Sequence, residues 1–504
     1  MIRKPAACVL GGLLLALAFP NTGLFFLAWI AFIPLFFVLQ SEVRAPHAAL
    51  YGAIFQLSFS VVDISWILRT LVVHGHLHWA SGFLMYVGMV MVLSLFGAAF
   101  GLFVAFGLRR GWSVSIVAPL SWTALEYART YFFYGFPWDL VGYSQAPWLT
   151  MLQISDLTGI YGVSFLIVLV NASVWEILHA RLTRKPFQVS VVTFCAILFI
   201  ASLFYGHLRM HSVTQHQTDG SMYRIGILQG NIPQEIKWEA AAREHTFETY
   251  EKLAMEAAAK GAQIVIWPET SVPVVVGMRE TEWRRISMIS EKIEMPMLVG
   301  APSYKDHDGE TNYFNSAFLV DGGMLRSRYD KIHLVPFAEY LPLDWLMPFG
   351  RGLASREADY THGKTMTVMK TEGGPPFSVL ICYEAIFPAL SRLALHNGAG
   401  VLVNIVNDGW FEHTAAPYQH LNMAGVRSIE NRVFVVRAAN TGISAVFDPV
   451  GRLVGAIPWN TRGVLVADLP EKSTTGSFYS RFGDVFAWTC VIMCICLIVL
   501  PKRR

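Results

Sequence analysis

The sequence predicts two kinds of structure in one chain: a multi-span α-helical membrane domain of about eight helices, and an α/β domain inserted before the last span. Two observations lead to this prediction. Hydrophobic residues make up 54% of the 504 residues and charged residues only 15%, which is more apolar than a typical soluble domain. Residues 223–470, in contrast, have the composition and size of an ordinary soluble domain.

Eight apolar runs are candidates for membrane spans because their lengths approach what a bilayer requires. They are residues 6–19, 23–40, 50–68, 82–107, 113–127, 160–178, 188–206 and 486–500. The first run looks like a signal sequence, but no small-residue cleavage site follows it. We therefore predict a membrane domain with seven spans at 1–210, a polar domain at 221–470, and a C-terminal span with a basic tail at 482–504.

Basic residues predict the orientation of these spans. If the eight runs alternate across the membrane, most basic residues fall on one side, which is expected to be cytoplasmic. These residues are Arg3, Lys4, Arg44, Arg109, Arg110, Arg181, Arg184, Lys185, Lys502, Arg503 and Arg504. The polar domain follows an odd number of spans, so it is expected on the opposite side.

Within the polar domain, strand-like and helix-like segments alternate. The strand-like runs are 223–229, 263–267, 297–300, 313–320, 377–382, 401–406, 434–439 and 443–447, and the helical stretches are 243–260, 280–293, 387–396 and 417–430. Interleaved strands and helices followed by paired strands predict one mixed sheet or two sheets, flanked by helices.

Composition argues against several classes of function. The formal net charge of +3, without a basic stripe, gives no support for nucleic-acid binding. The six cysteines suggest neither a disulfide framework nor a zinc site, and no H-E-x-x-H pattern is present in the polar domain. Five cysteines fall in apolar runs, and only Cys382 has a polar setting. We predict no metal and a Cys382 that is free to react.

Two carboxylates, Asp63 and Glu126, lie within apolar runs, where an ionisable group is costly and often functional. For Glu126 we favour a carboxylate near a span end that faces water or a neighbouring helix. For Asp63 the functional and structural interpretations both stay open.

Three element ends in the polar domain carry reactive side chains. Cys382 ends an apolar strand-like run, Glu269 follows Trp267-Pro268 after another, and Lys331 stands just ahead of a mostly apolar stretch. Each residue has a plainer interpretation on its own, as a core cysteine, a turn carboxylate or a solvated lysine. Their combination is more specific than any one of them.

This combination resembles the nitrilase superfamily, and the wider set of motifs resembles the bacterial apolipoprotein N-acyltransferase family. The motifs are WPET at 267–270, YDKIHLVPFAEY at 329–340, ICYE at 381–384 and NDGWF at 407–411, and the stretch 136–145 is also similar. The resemblance covers essentially the whole chain, including its seven-plus-one spans. One departure is Glu412, which follows NDGWF where many relatives have glycine; it bears on how the loop after Trp410 moves.

The resemblance implies an αββα-sandwich domain with a triad of Glu269, Lys331 and Cys382 and no cofactor. It also implies an enzyme of the bacterial inner membrane, with its catalytic domain on the periplasmic side. The reaction implied is acyl transfer from a phospholipid, through a cysteine thioester, to the N-terminal amine of a diacylglyceryl-cysteine lipoprotein. The positions that match supporting or substrate-binding residues are Trp238, Glu339, Tyr383, Glu384 and Trp410.

The chemistry of these residue types agrees with the implied roles. A free thiol is mostly protonated at neutral pH, so Glu269 is expected to take its proton. Lys331 is expected to favour the thiolate and, with the Tyr383 backbone N–H, to stabilise the oxyanion. Glu339 is expected to orient Lys331, with a surface carboxylate as the plainer alternative. A thioester intermediate predicts ping-pong kinetics.

Aromatic and apolar segments suggest how lipid is handled. Trp238 and Trp410 are candidates for the acyl path, although either is equally typical of a core or an interfacial belt. Residues 340–354 are apolar and rich in Pro and Gly, as in a lid at the membrane interface, but a loop packed on its own domain fits as well.

Two other functions compete with acyl transfer. A membrane-tethered amidase of the nitrilase type would share the triad and use water, so labelled acyl groups would end as free acid. A transporter or receptor would use the polar domain only for binding, and Asp63 is its sole support in the sequence.

Overall fold

The computed structural model describes residues 3–20, 22–41, 44–132, 134–184, 187–215, 221–234, 237, 239–277, 280–307, 310–340, 359–471 and 476–500. The first part of the chain is helical. Its helices are α1 (Arg3–Ala16), α2 (Ile33–Gln40), α3 (Ala45–Asp63), α4 (Trp66–Val73), α5 (Trp79–Arg109), α6 (Val114–Tyr131), α7 (Leu149–Leu152), α8 (Ser155–Thr158), α9 (Ile160–Thr183) and α10 (Val189–Gln215). Among the described residues, α3, α5, α9 and α10 are long and apolar enough to cross a membrane.

The eight predicted runs all fall on helical segments, but two of them are interrupted. The run 23–40 is not one helix: a 3-10 turn at Phe25–Trp29 precedes α2, and Pro34 stands in the first turn of α2. Proline favours such a position because the first N–H groups of a helix have no intrahelical partner. The run 50–68 is divided between α3 and α4. The number of spans therefore stays a prediction.

The second part of the chain is α/β. Its elements are β1 (Met222–Gln229), α11 (Ala240–Ala259), β2 (Ile264–Ile266), α12 (Glu280–Ile293), β3 (Met297–His307), β4 (Glu310–Asp321), β5 (Met324–Asp330), β6 (Val368–Met369), β7 (Phe377–Ile381), α13 (Pro388–His396), β8 (Val401–Val406), α14 (Ala416–Asn431), β9 (Phe434–Ala439), β10 (Ser444–Phe447), β11 (Leu453–Ile457) and β12 (Gly463–Pro470). Helices α15 (Phe478–Phe482) and α16 (Val485–Val499) follow.

The strands form two six-stranded sheets, so the predicted α/β class with flanking helices is confirmed in its two-sheet form. The strand orders are β12-β1-β2-β3-β4-β5 and β11-β10-β9-β8-β7-β6. In each sheet three neighbouring strands run parallel, β1 to β3 in the first and β7 to β9 in the second. The carboxyl ends of parallel strands share one edge of a sheet, which is where α/β proteins usually place their sites.

A continuous apolar core joins the two sheets. Alternate residues of β1 and β2, such as Ile225 and Ile264, are buried in the same cluster as Val379 and Val403 of the second sheet. The other face of the first sheet packs on α11 and α12, where Tyr250 and Ile289 are buried. Residues of α14 are buried in the core of the helical region. These layers form the expected αββα sandwich, docked by α14 onto the apolar helices.

Buried polar contacts hold the α/β region on the helical region. The Arg432 Nη2 donates to Asp156 Oδ2 at 2.8 Å, and the same carboxylate accepts from Arg209 at 2.9 Å. The Ile160 backbone N–H donates to Glu430 Oε1 at 2.9 Å. A buried charge is costly unless it is paired, so these contacts favour one relative position of the two regions.

The two carboxylates predicted within apolar runs have structural contacts. Glu126 is buried, and its Oε1 accepts from Trp122 Nε1 at 2.9 Å and from the Val141 N–H at 2.7 Å. Of the two predicted surroundings, water is wrong and a neighbouring helix is confirmed, since Glu126 binds Val141, the first residue of a 3-10 helix, and contacts Ser164 of α9. Asp63 ends α3 and accepts from Gln419 Nε2 of α14 at 3.0 Å. Asp63 thus links the two regions of the chain.

Candidate active site

The site lies where strands from both sheets end. Glu269 follows β2, Lys331 directly follows β5, Cys382 directly follows β7, and Asn407 directly follows β8. The sequence placed Lys331 ahead of an apolar stretch, but the structure places it at the end of a strand that the sequence analysis missed. The residues after Lys331 form turns because they bind Glu384 and Glu339 instead of a neighbouring strand.

Cys382 does not extend the strand that precedes it, as the run 377–382 predicted. It begins a short 3-10 helix, Cys382–Ile386, with φ at +52°, in the left-handed region. Its carbonyl accepts from His420 Nε2 at 3.1 Å and from Asn404 Nδ2 at 3.3 Å. A non-glycine residue holds such a conformation only where its surroundings fix it, which is common at active sites.

Three ionisable residues and an asparagine form a compact cluster beside Cys382. Lys331 Nζ donates to Glu339 Oε1 at 2.9 Å and lies 3.6 Å from Glu269 Oε1. Asn315 Nδ2 lies 2.8 Å from Glu269 Oε1 and 3.0 Å from Glu339 Oε1, so it bridges the two carboxylates. The Asn407 backbone N–H donates to Glu269 Oε2 at 2.9 Å. The cluster is fixed in geometry and carries one more negative than positive charge.

Electrostatics around the thiol disfavour its ionisation in this state. Burial, followed by the Glu269 carboxylate, raises the pKa of Cys382 well above its usual value, and the opposing effect of Lys331 is smaller. Lys331 favours the thiolate, as expected, but burial and Glu269 outweigh its effect on the pKa of Cys382. Burial tends to lower the pKa of Lys331, but Glu339 and Glu269 outweigh it and raise that pKa. The site thus holds a neutral thiol beside a cationic lysine.

Glu384 has a different environment, made of backbone donors. Its Oε1 accepts from Tyr329 Oη at 2.8 Å and from the N–H groups of Ile332 at 2.7 Å and His333 at 3.0 Å. Its Oε2 accepts from the Ile381 N–H at 2.7 Å. Because Ile332 adjoins Lys331 and Ile381 adjoins Cys382, this one side chain fixes the turn of the lysine relative to the turn of the thiol.

A network of buried polar side chains supports the backbone of Cys382. Arg437 donates to Asn404 Oδ1 and, at 2.6 Å, to Asp408 Oδ2, while His420 Nδ1 lies 3.1 Å from Asp408 Oδ1. Burial and the charge of Arg437 lower the pKa of His420, so its ring is neutral. Since the Cys382 carbonyl can only accept, His420 carries its proton on Nε2. The two side chains that bind the Cys382 carbonyl, His420 and Asn404, are thus fixed in turn by Asp408 and Arg437.

The helical region borders this site. The loop after α6 supplies carbonyl groups to residues near the nucleophile: Tyr134 O accepts from His333 Nε2 at 3.0 Å, and Gly135 O accepts from Tyr383 Oη at 3.3 Å. Trp138, in the stretch 136–145, donates through Nε1 to Gln419 Oε1 at 2.9 Å. The site is therefore built from both regions of the chain.

Most residues singled out in the sequence come together here, but not all. Glu269, Lys331, Glu339, Tyr383 and Glu384 contact one another directly or through shared partners around Cys382. Trp410 lies at the rim with 40% of its surface exposed. Trp238 and residues 341–354 lie outside the described residues, so their expected contributions to the acyl path and a lid stay predictions.

Sequence reasoning did not single out the residues that hold this cluster in place. They are Asn315, Asn404, His420 and Arg437, all buried. Asn404 and Arg437 occupy otherwise apolar strands, and a polar residue at such a position was the one available signal. Among the described residues, no group of His, Cys, Asp and Glu is arranged to hold a metal ion. The arrangement is suited to covalent catalysis by a thiol with a carboxylate base.

Comparisons with known proteins agree with the motifs and the fold. Residues 224–476 match the carbon-nitrogen hydrolase family, and residues 11–173 match the apolipoprotein N-acyltransferase N-terminal domain. The apolipoprotein N-acyltransferase of Geobacter metallireducens is 37% identical over 507 residues, covering 100% of this chain and 96% of that protein. The Brucella melitensis biotype 1 protein of the same name is 30% identical over 497 residues, covering 93% and 90%.

Among solved structures, a nitrilase-superfamily amidase from Nesterenkonia AN1 is similar, with 21% identity and a TM-score of 0.39, covering 51% of this chain and 93% of the amidase. The family assignment rests on the full-length relatives and on the two domain matches. They confirm the resemblance seen in the sequence motifs. The chain belongs to the apolipoprotein N-acyltransferase family of the nitrilase superfamily.

Proposed function

We propose that the chain moves a fatty acyl group from a phospholipid to the N-terminal amine of a diacylglyceryl-cysteine lipoprotein through a thioester on Cys382. The observation that carries this proposal is the strained turn at Cys382 beside the cluster of Glu269, Lys331 and Glu339. The helical region contacts residues beside that turn, which supports a lipid as the acyl donor. The proposed catalytic triad is Glu269, Lys331 and Cys382.

In the first half-reaction the neutral thiol needs a base, because its pKa is raised. Glu269 takes the proton as the sulfur attacks the ester carbonyl carbon of the phospholipid, forming a tetrahedral intermediate. The intermediate then expels the lysophospholipid oxygen, which receives the proton from Glu269. The carbon–oxygen bond breaks, a carbon–sulfur bond replaces it, and the acyl group stays on Cys382.

In the second half-reaction the amine of the lipoprotein attacks the thioester. Glu269 takes a proton from the attacking nitrogen, and the sulfur leaves and is reprotonated. The products are an amide and the free thiol. One nucleophile thus serves two substrates in turn, so the kinetics are ping-pong, with lysophospholipid released before the lipoprotein reacts.

Lys331 stabilises the negative charge that develops on the oxygen in both half-reactions, together with the backbone N–H of Tyr383. Its Nζ is held 2.9 Å from Glu339 Oε1, which fixes the cation before substrate binds. Glu384 fixes the turn of Lys331 relative to the turn of Cys382. Trp410 contributes to the wall of the acyl path. A preorganised cation in a dry site costs little reorganisation at the moment of reaction.

The orientation proposed is that of a multi-pass protein of the bacterial inner membrane, with the α/β domain in the periplasm. Two hydrogen bonds support the placement of the loop after α5 and the C-terminal end of α16 on the same, predicted cytoplasmic, side. In them Arg110 Nη1 donates to the carbonyls of Ile498 at 2.5 Å and Leu500 at 2.6 Å. A reporter that is active only outside the cytoplasm should work when fused after Tyr223 and stay silent near Arg184. The reverse result would overturn the orientation.

The function is tested by supplying a phospholipid labelled in its acyl chains and a synthetic diacylated lipopeptide with a free amine. Label should move to the lipopeptide as an amide in the wild type, and an N-acetylated lipopeptide, which lacks the amine, should receive none. Release of the label as free fatty acid, with or without lipopeptide, would instead identify a hydrolase.

A further inference from the structure

One short segment joins the catalytic cluster to the helical region. We call residues 408–412 the Trp410 segment; it consists of a 3-10 turn, Asp408–Phe411, and the next residue, Glu412. At its start the preceding residue, Asn407, donates its N–H to Glu269 Oε2 at 2.9 Å. Asp408 is buried and binds Arg437 at 2.6 Å. This end of the segment therefore helps to place the proposed catalytic base.

The other end of the segment is bound to α4 of the helical region. The Glu412 carboxylate pairs with Arg69, and its Oε1 lies 3.5 Å from Nε2 of His74, which follows the end of α4. Thr70 Oγ1, one helical residue from Arg69, donates to the Trp410 carbonyl at 3.1 Å. The guanidinium of Arg69, the ring of His74 and the hydroxyl of Thr70 thus contact two residues of the segment.

Aromatic contacts reinforce this attachment. The His74 ring lies 5.6 Å from the Trp410 ring, and the Phe411 ring lies 4.8 Å from Trp66 and 6.0 Å from Trp138. Distances and edge-on geometries of this kind are those of favourable aromatic pairs. The segment is therefore packed on the helical region by side chains as well as by the ion pair.

The backbone at Glu412 points to a specific purpose for its side chain. Glu412 has φ +48° and ψ −153°, a conformation that glycine adopts readily and other residues adopt under strain. A glycine would fit this backbone but could not bind Arg69. The strain of a glutamate here is offset by contacts that only its carboxylate can make.

We infer that Glu412 is a positioning residue for acyl transfer, acting with Arg69 and His74 as a latch that holds the Trp410 segment on α4. Through Asn407 the latched segment keeps Glu269 in place, so the latch sets the geometry of the base without touching substrate. The inference rests on the proposed role of Glu269 in acyl transfer. It assigns to α4 an indirect part in catalysis, through the position of Glu269.

Glu412→Gly isolates the latch because it removes the carboxylate while fitting the backbone, and so keeps the protein folded. The pair is partly exposed, with side-chain exposures of 61% for Arg69 and 24% for Glu412, so its loss should be modest. We expect kcat to fall about fivefold with KM little changed. Amide hydrogen exchange in residues 408–412 should become faster.

The charge reversal tests the pairing itself. Arg69→Glu and Glu412→Arg should each lower kcat about as much as Glu412→Gly, and the double variant should regain most of it. Asp468→Asn is the matched control, because it breaks an exposed ion pair with Arg224 far from this segment. The control should change neither kcat nor exchange in residues 408–412.

Exchange is measured without substrate, so it separates this inference from the proposed function. Faster exchange with a lower kcat in Glu412→Gly, and recovery in the double variant, would support the latch. Unchanged exchange would overturn the latch, whatever the activity. Faster exchange with wild-type kcat would show that the latch exists but does not position the base, and would overturn its role in catalysis. A wild type that transfers no acyl group would refute the proposed function and this catalytic role together, leaving only the attachment.

Discussion

Glu269 and Glu384 are buried carboxylates of one site, yet they bind different kinds of group. Glu269 has a cation at 3.6 Å, a side-chain amide and one backbone N–H, and its charge acts on the thiol of Cys382. Glu384 binds three backbone N–H groups and a tyrosine hydroxyl. The first environment suits a carboxylate that exchanges protons, and the second suits one that fixes the backbone. Substitutions at the two positions should therefore fail in different ways.

The largest effect is expected for Glu269→Gln. This change removes the proposed base but keeps an oxygen that can accept from Asn315 or Asn407, so the fold should be retained. Acyl transfer should fall by about 10³-fold or more, while the one donor left unpaired should cost no more than about 1–3 kcal/mol in the free energy of unfolding. A variant that keeps more than about a tenth of the wild-type kcat would show that Glu269 is not the base.

Lys331→Met should lose activity and also more stability than Glu269→Gln. It removes an oxyanion donor, at a cost of about 10²- to 10³-fold in kcat. It also leaves Glu269 and Glu339 buried without their shared cation, which should cost about 3 kcal/mol in the free energy of unfolding.

The matched control for Lys331→Met is Lys305→Met, at an exposed lysine that pairs with Asp330. Denaturant unfolding and the transfer assay should show little change in this control. Equal losses of kcat and of unfolding free energy in both lysine variants would show that Lys331 has no special role in the proposed mechanism.

Glu384→Gln tests the backbone-fixing carboxylate. A glutamine places an NH₂ group opposite one of the four donors, which leaves a donor unpaired and should cost about 1–3 kcal/mol in the free energy of unfolding. Activity should fall less than in Glu269→Gln, because the proposed chemical groups are all present. Tyr329→Phe removes only one of the four donors, and its cost should be about 1 kcal/mol.

If Glu384→Gln proved as inactive as Glu269→Gln while remaining fully stable, the distinction between the two carboxylates would fail. Circular dichroism melts and kcat measured on the same preparations would decide between these outcomes.

The smallest effect concerns the acidity of the thiol. Glu269 raises the pKa of Cys382 and Lys331 lowers it, so at a given alkaline pH Glu269→Gln should carry more thiolate than the wild type and Lys331→Met less. Alkylation of Cys382 by iodoacetamide, followed as a function of pH by mass spectrometry, reports the thiolate fraction. Faster alkylation in the inactive Glu269→Gln variant would be the sharpest sign that Glu269 is needed for proton transfer and not for acidity.

The sequence predicted the fold class, the strand ends that carry Glu269 and Cys382, the candidate Lys331, and the family. These features depend on local signals, namely apolar runs, strand stops and contiguous motifs. It did not predict that Cys382 leaves the strand in a left-handed conformation, since that requires the grip of His420 and Asn404 on its carbonyl. Strand β5 was missed because its two apolar residues, Met324 and Leu325, are exposed, and only Tyr329 is buried among the polar residues that follow.

Contacts between distant parts of the chain were also beyond the sequence. Asn315, which bridges Glu269 and Glu339, lies 46 and 24 positions from them along the chain. Arg69 of α4 lies 343 positions from its partner Glu412. No periodicity or local motif reports such pairs. The interruption of the run 23–40 has a visible signal in Pro34, whereas the break between α3 and α4 lies where Asp63 contacts the distant Gln419.

Transfer through a thioester on Cys382 can be observed by mixing the enzyme with acyl-labelled phospholipid in the absence of any lipopeptide. We expect one labelled acyl group on Cys382 for each lysophospholipid released, and no label on Cys382→Ala. If neither label nor lysophospholipid appears until lipopeptide is added, the transfer is direct and the thioester mechanism is wrong.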